Sequence, residues 1–215
     1  MLRLTAGMLA IVSLASSCGT AARPTPGKTV TRAAVTAVTT AKPAHRFTSF
    51  RIVPVLIIGD SITVGARDIG GLQGLLEESG WNPEIVARVG ASLRWGISQI
   101  DPRLVVPSIV VVEMGTNPSP LLGNFESEVT QMISDLVGRG ARHIIWIPPV
   151  GPDQTEYADK DAVIQRAASS QVIVSGWPSL LQANPQWFGD VPHLTQEGYR
   201  QLANFEYREL QTLHG

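Results

Sequence analysis

Val55-Leu56-Ile57-Ile58-Gly59-Asp60-Ser61-Ile62-Thr63-Val64-Gly65 is the stretch whose reading decides the fold. Its opening apolar run is too short for a helix and does not alternate, the pattern of a parallel strand buried on both faces. Gly59-Asp60-Ser61 then marks a tight turn that exposes a serine hydroxyl at the strand's carboxyl end. Two readings of Ser61 stand side by side here. Ser and Asp are preferred helix N-caps, and a hydroxyl on such a turn is also a candidate nucleophile. Without a glycine two places on, the turn is not the G-x-S-x-G elbow of the α/β-hydrolases, and without a Gly-Lys pair it is not a phosphate-cradling loop.

The pattern repeats down the chain. Ile62 to about Ser79 predicts a helix broken or loosened near Gly70-Gly71 and stopped at Gly80. Glu84 to Val89 reads as a second strand, ending in Gly90-Ala91-Ser92, and Leu93 to Ile100 as a short helix closed by Asp101-Pro102. Ile109 to Met114 is a third apolar strand, running into Gly115-Thr116-Asn117-Pro118. Phe125, Val129, Met132, Ile133, Leu136 and Val137 recur at helical spacing on one face. His143 to Ile147 and Val172 to Val174 give two more strands, and Tyr157 to Ser169 and Thr195 to Leu213 two more helices. Strand alternating with helix predicts an α/β fold: a three-layer α/β/α sandwich around a five-stranded parallel sheet, flavodoxin-like, with right-handed crossovers.

The 215 residues, 44% of them hydrophobic, are enough for one such domain with a substantial core. A formal net charge of -1 and the lack of a basic run leave no electrostatic footprint for nucleic acid. Before the domain, Arg3, the apolar run Leu4 to Leu14 and the small residues Ala15-Ser16-Ser17 have the order of a secretory signal. That run is too short to span a bilayer. Cys18, the one cysteine, follows the small residues and excludes an intramolecular disulfide. From Gly19 to about Thr48 the chain is rich in Thr, Ala, Pro and basic residues with almost no large apolar side chain, which predicts a disordered tether. The expected organisation is therefore a signal segment at 1–18, a tether at 19–48 and a catalytic-size domain at 49–215.

In an open parallel sheet, ligands bind outside the carboxyl ends of the strands. The loops there begin with Gly59-Asp60-Ser61, Gly90, Gly115-Thr116-Asn117 and, before the last helix, Gly189-Asp190-Val191-Pro192-His193-Leu194-Thr195. Ser61 needs a base to take its proton, and the base needs an acceptor to hold its tautomer. Asp190 and His193, together in one loop, supply both. The other histidines are poorly placed: His45 lies in the tether, His143 at a strand start and His214 at the terminus. The amides of Ser61 and Gly90 and the side-chain amide of Asn117 are the candidate donors to an oxyanion. Asp60 is read as holding its turn through nearby amides. Trp95 and Trp187 fall near the cleft, where an indole stacks on a sugar or packs the rim; Trp81, Trp146 and Trp177 are read as core or rim. No cluster has metal spacing and no G-x-G-x-x-G follows the first strand, so neither a metal nor a dinucleotide cofactor is implied.

At these residues the chain resembles the SGNH (GDSL-type) hydrolases, across roughly Arg51 to Leu213. The resemblance rests on Gly-Asp-Ser-Ile-Thr at Ser61, on Gly90, on Gly-Thr-Asn at Asn117 and on Asp-Val-Pro-His-Leu-Thr at His193. It implies a serine nucleophile in Ser61, oxyanion donors in Gly90 and Asn117 as well as the Ser61 amide, a base in His193 and its orienting acid in Asp190. Ile62 stands in place of the family's Leu, and Pro118 follows Asn117 where many small thioesterase-type members have Asp. The second departure favours the branch acting on acylated envelope polysaccharides. Cys18 resembles the lipidated cysteine of a bacterial lipoprotein, although Ala15 stands where Leu is usual. The expected activity is that of an exported serine esterase, lipid-anchored at the membrane or secreted, that removes a short acyl group, acetyl foremost, from a carbohydrate or similar ester. Two alternatives stay open: an O-acyltransferase using the same acyl-serine, and a non-catalytic binding module on the same fold.

Overall fold

The computed structural model describes residues 52–118, 125–152, 155 and 157–213. The signal-like segment, Cys18, the tether, His45 and His214 lie outside the described residues. Strand β1 (Val53–Gly59) carries the apolar run, and its residues from Val55 onward are buried. It lies second in the order β2-β1-β3-β4-β5, every pairing parallel, with β2 at Trp81–Ala87, β3 at Ile109–Glu113, β4 at His143–Trp146 and β5 at Val172–Val174.

Strand periodicity divides the core into two layers. Val55, Ile57, Val111 and Ile145 point to one side, where they meet Leu72, Trp177, Leu181, Tyr199 and Leu202. Leu56, Ile58, Val110, Val112 and Ile144 point to the other and meet Leu93, Val129, Met132, Leu136 and Ile164. One face is thus covered by α1 (Ser61–Asp68), α2 (Leu72–Glu78), α6 (Trp177–Gln182) and α7 (Gln196–Gln211), and the other by α3 (Leu93–Gln99), α4 (Phe125–Gly138) and α5 (Ala158–Arg166). Each fully buried aliphatic side chain contributes about 1.5–3 kcal/mol by leaving water, so strands covered on both faces supply most of the drive to this arrangement. Among the described residues, no helix is long and apolar enough to cross a membrane.

The helix expected from Ile62 to Ser79, broken or loosened near Gly70-Gly71, is broken there into α1 and α2, because Gly71 takes a left-handed φ of 76° between them. Its neighbour Gly70 sits so close to α7 that an added Cβ would fall 2.4 Å from the Tyr199 carbonyl oxygen. The second strand begins at Trp81, not Glu84, and so includes Pro83. Among the described residues β2 pairs with β1 alone, and an edge strand tolerates the missing N–H. Helix α6 and the short 3₁₀ turn Pro185–Trp187 were not anticipated, although a proline inside the first turn, Pro178, is a helix-start signal.

Candidate active site

The strand order places the loops after β2, β1 and β3 side by side at one end of the sheet. Long backbone hydrogen bonds stitch them: Arg88 N–H donates to the Gly59 carbonyl at 3.3 Å, and Asp60 N–H to the Glu113 carbonyl at 3.3 Å. Asp60 is the N-cap of α1, with Oδ1 accepting from the Ile62 amide at 2.9 Å. Ser61 is therefore the first residue of the helix, where amides lack a partner in the preceding turn and the helix dipole favours negative charge.

His193 approaches Ser61 from the loop before α7, with Nε2 3.1 Å from Ser61 Oγ. That loop is tight. Gly189 N–H donates to the His193 carbonyl at 2.9 Å, His193 N–H to the Asp190 carbonyl at 2.8 Å, and Phe188 forms an antiparallel bridge with Leu194. Thr195 then caps α7, its hydroxyl oxygen accepting from the Gly198 amide at 3.1 Å. Asp190 is exposed and touches His193 through the backbone; among the described residues, no hydrogen bond or ion pair joins its carboxylate to the ring. Serine and base are thus together, while the expected acid is in the right loop without the expected contact.

Asn117 reaches the neighbouring loop, where its Nδ2 donates to the Ala91 carbonyl at 3.0 Å. A primary amide carries two N–H donors, so one is anchored and one remains. Gly90, immediately before Ala91, has a φ of 71°, a turn conformation that favours glycine. Gly115 has a φ of 132° and opens the Asn117 loop. Lys160 of α5 holds that loop from outside by donating from Nζ to the Gly115 carbonyl at 2.5 Å. Among the tryptophans, Trp187 stacks on buried Trp177 with centroids 6.2 Å apart, and the Arg88 guanidinium lies 4.7 Å from the centroid of half-buried Trp95. Each indole near the cleft thus has a protein neighbour on its ring.

Beneath the turn lie acids that the sequence reading passed over. Glu113, at the end of β3, is 5% exposed and accepts from Thr63 Oγ1 at 2.5 Å. Glu206 of α7 is 1% exposed, and among the described residues neither carboxyl oxygen has a hydrogen-bond partner. Burial pushes Glu206 up to about 8. Glu113 is raised well above the usual carboxylate range by burial and then by Glu206 and Asp60, against the pull of the Thr63 hydroxyl. Burial also lifts Asp60 to about 6, opposed by the Ile62 amide, Thr116 and His193. The signal was in the sequence: Glu113 is a charged residue inside the otherwise apolar run from Ile109 to Met114.

No family model matches the chain, and neither does any curated protein. Solved structures do. A lipase/acylhydrolase from Enterococcus faecalis aligns at a TM-score of 0.63 and 19% identity, over 75% of this chain and 96% of that one. The C-terminal catalytic domain of peptidoglycan O-acetyltransferase A from Streptococcus pneumoniae, solved with a methylsulfonyl adduct, aligns at 0.60 and 19% over 75% and 94%. An acetyl xylan esterase from Geobacillus stearothermophilus aligns at 0.57 and 18% over 74% and 96%. The fold is that of the SGNH hydrolases.

Within the SGNH fold, Ser61, Gly90 and Asn117 follow three adjacent parallel strands, and His193 comes from the loop before the last helix. Sequence adjacency in one loop suggested the Asp190 pairing but could not show which way its side chain turns. Thr63, Glu113 and Glu206 come together only through the packing of α1, β3 and α7.

Proposed function

We propose that this chain is a serine ester hydrolase acting on short acyl esters, acetyl foremost, of a carbohydrate. The observation that carries the reading is the 3.1 Å approach of His193 Nε2 to Ser61 Oγ at the N-terminus of α1. In the first half-reaction, Ser61 Oγ bonds to the ester carbonyl carbon as its proton passes to His193. The ester C–O bond then breaks, and His193 returns the proton to the leaving alcohol oxygen. In the second, water gives a proton to His193 and attacks the acyl-serine, and the acid departs as Ser61 regains its proton. During each attack the carbonyl oxygen becomes anionic, facing the Ser61 and Gly90 amides and the second N–H of Asn117. Asp190 rotates its carboxylate onto His193 Nδ1 when substrate closes the site, since catalytic contacts are often unmade in the free enzyme. The acyl class is supported by the acetyl xylan esterase and O-acetyltransferase among the structures of similar fold.

The second reading, an O-acyltransferase, replaces water with a sugar hydroxyl in the second half-reaction. The fold it shares with the peptidoglycan O-acetyltransferase domain favours it. The test for both is incubation of the purified chain with a fluorophosphonate and with p-nitrophenyl acetate. Covalent label on Ser61, with acetate released, supports the hydrolase; acetyl appearing on an added oligosaccharide in preference to free acetate supports the transferase; no label and no turnover leave a binding module. The chain is further proposed to be exported and anchored through lipidated Cys18, on the strength of the order of residues 1–18.

A further inference from the structure

The acids beneath the nucleophile do not serve the proton transfers above, and they are expensive. Three carboxyl groups, Asp60, Glu113 and Glu206, are at most 5% exposed, and among the described residues none of them pairs with a lysine or arginine. Taking an ionised carboxylate out of water without a cation costs so much that such a group takes up a proton instead. They do not form a metal site: among the described residues no group of three or more acids, histidines or cysteines could hold an ion.

What Glu113 does is visible in its contacts. Its carbonyl accepts from the Asp60 amide, and its Oε2 accepts from Thr63 Oγ1 at 2.5 Å, so one residue of β3 grips the residues on both sides of Ser61 and Ile62. Thr63 is fully buried and lies directly over the end of β1, where an added Cβ on Gly59 would fall 1.7 Å from its hydroxyl oxygen. There is no slack in that contact. A shift of Thr63 therefore moves the first turn of α1 and carries the Ser61 hydroxyl with it.

We propose that Glu113, held as the neutral acid, is a positioning residue that fixes the nucleophile's turn through Thr63, with Glu206 as the second acid of the pair. The proposal rests on the esterase reading. The groups that bear on it are Asp60 from the turn before α1, Glu206 and Tyr199 from α7, and His193, which faces Asp60. All but His193 are acids, so deprotonating the pair puts negative charge against negative charge behind the oxyanion site. Activity then falls at alkaline pH. This alkaline limb belongs to the buried pair and not to the base.

Thr63→Val removes the donor at nearly constant volume, Glu113→Leu removes the acceptor, and Glu113→Gln keeps a neutral acceptor. Each is measured in the full-length protein for kcat, KM and the rate of fluorophosphonate labelling of Ser61, from pH 5 to 10. Thr63→Val and Glu113→Leu should each lower kcat by about 10²-fold, the cost of a misplaced reacting group, with KM little changed, and the double variant should be no worse. Glu113→Gln should keep most of the neutral-pH activity and move the alkaline limb upward. If Glu113→Leu does not fold, Thr63→Val and Glu113→Gln still decide the matter. An active wild type beside an unimpaired Thr63→Val, or a Glu113→Gln as poor as Thr63→Val with the limb unmoved, overturns the positioning role alone. A wild type that neither labels nor hydrolyses overturns the esterase reading and this one with it.

Discussion

Lys160 Nζ donates to the carbonyl of Gly115 at 2.5 Å, an α5 side chain reaching across to the loop that carries Asn117. The rings of Phe125 and Tyr157 flank the ammonium, at 5.7 and 5.3 Å from their centroids. The contact ties the loop of a candidate oxyanion donor to α5. Lys160→Met keeps the aliphatic stem and loses the donor and the charge. It should lower kcat about 10-fold or more through looser placement of Asn117, with a smaller change in KM. Steady-state kinetics alongside a melting curve checks this, and a loss of stability with normal kcat would assign Lys160 to folding only.

The 3.1 Å pair of Ser61 and His193 should behave as a unit. Ser61→Ala and His193→Ala are each expected to reduce kcat by about 10⁴-fold or more, and the double variant by little further. Asp190→Asn tests the unmade contact. If the carboxylate swings onto the ring in the working enzyme, kcat falls by about 10²–10⁴-fold. A fall under 10-fold would mean that the backbone carbonyl of Asp190 is all the loop needs from it.

Asn117 combines a structural contact with a proposed chemical one, and magnitude separates them. Its hydrogen bond to the Ala91 carbonyl is worth about 1 kcal/mol, which lowers the melting temperature by a few degrees. An oxyanion donor is worth about 10²–10³ in kcat. Asn117→Ala should show both effects, and Asn117→Asp should be worse in kcat because a carboxylate repels the forming charge. An Asn117→Asp enzyme near wild-type activity would end the oxyanion assignment.

Glu206 gives a pH dependence with a definite sign. Its folded-state pKa, about 8, is raised above the usual carboxylate value by burial, so the folded state holds the proton more tightly than the unfolded chain. The associated stability is complete in acid, declines as pH rises above the unfolded value of about 4.5, and is spent once pH passes 8. Glu206→Gln should flatten that decline, giving a melting temperature above that of wild type near pH 9. Parallel profiles for the two proteins would show that Glu206 does not carry the dependence.

The N-terminal proposal has its own test. Cys18→Ser should move the protein from the membrane fraction to the medium, because a lipidated Cys18 is the one anchor that the sequence suggests. Equal membrane association of the two would remove the lipid anchor while leaving the esterase untouched.

Much of this molecule is legible without coordinates, for physical reasons. Apolar runs such as Leu56 to Ile58 and Val110 to Val112 are short and unalternating because both faces of the sheet are covered, and that forces the three layers. Gly-polar turns at Ser61, Gly90 and Asn117 stand at strand ends because a parallel sheet leaves its loops there. What could not be read depends on packing between distant segments. The second strand begins before Glu84 and includes Pro83, which only its place at an edge of the sheet makes tolerable, and α6 is too short to show a helical period. Glu206 on α7 gives no hint that it will face Glu113. Asp190 and His193 share one loop, yet it is the backbone of Asp190, not its carboxylate, that makes the contact.

Pro83 has one more consequence. An open sheet has two free edges, and a free edge is a template on which a second chain can add a strand. Here one edge is β5, three residues long, and the other is β2, with an imide nitrogen in its first half where an amide would otherwise be. Among the described residues, neither offers a long unbroken row of donors on which a second copy could add a strand.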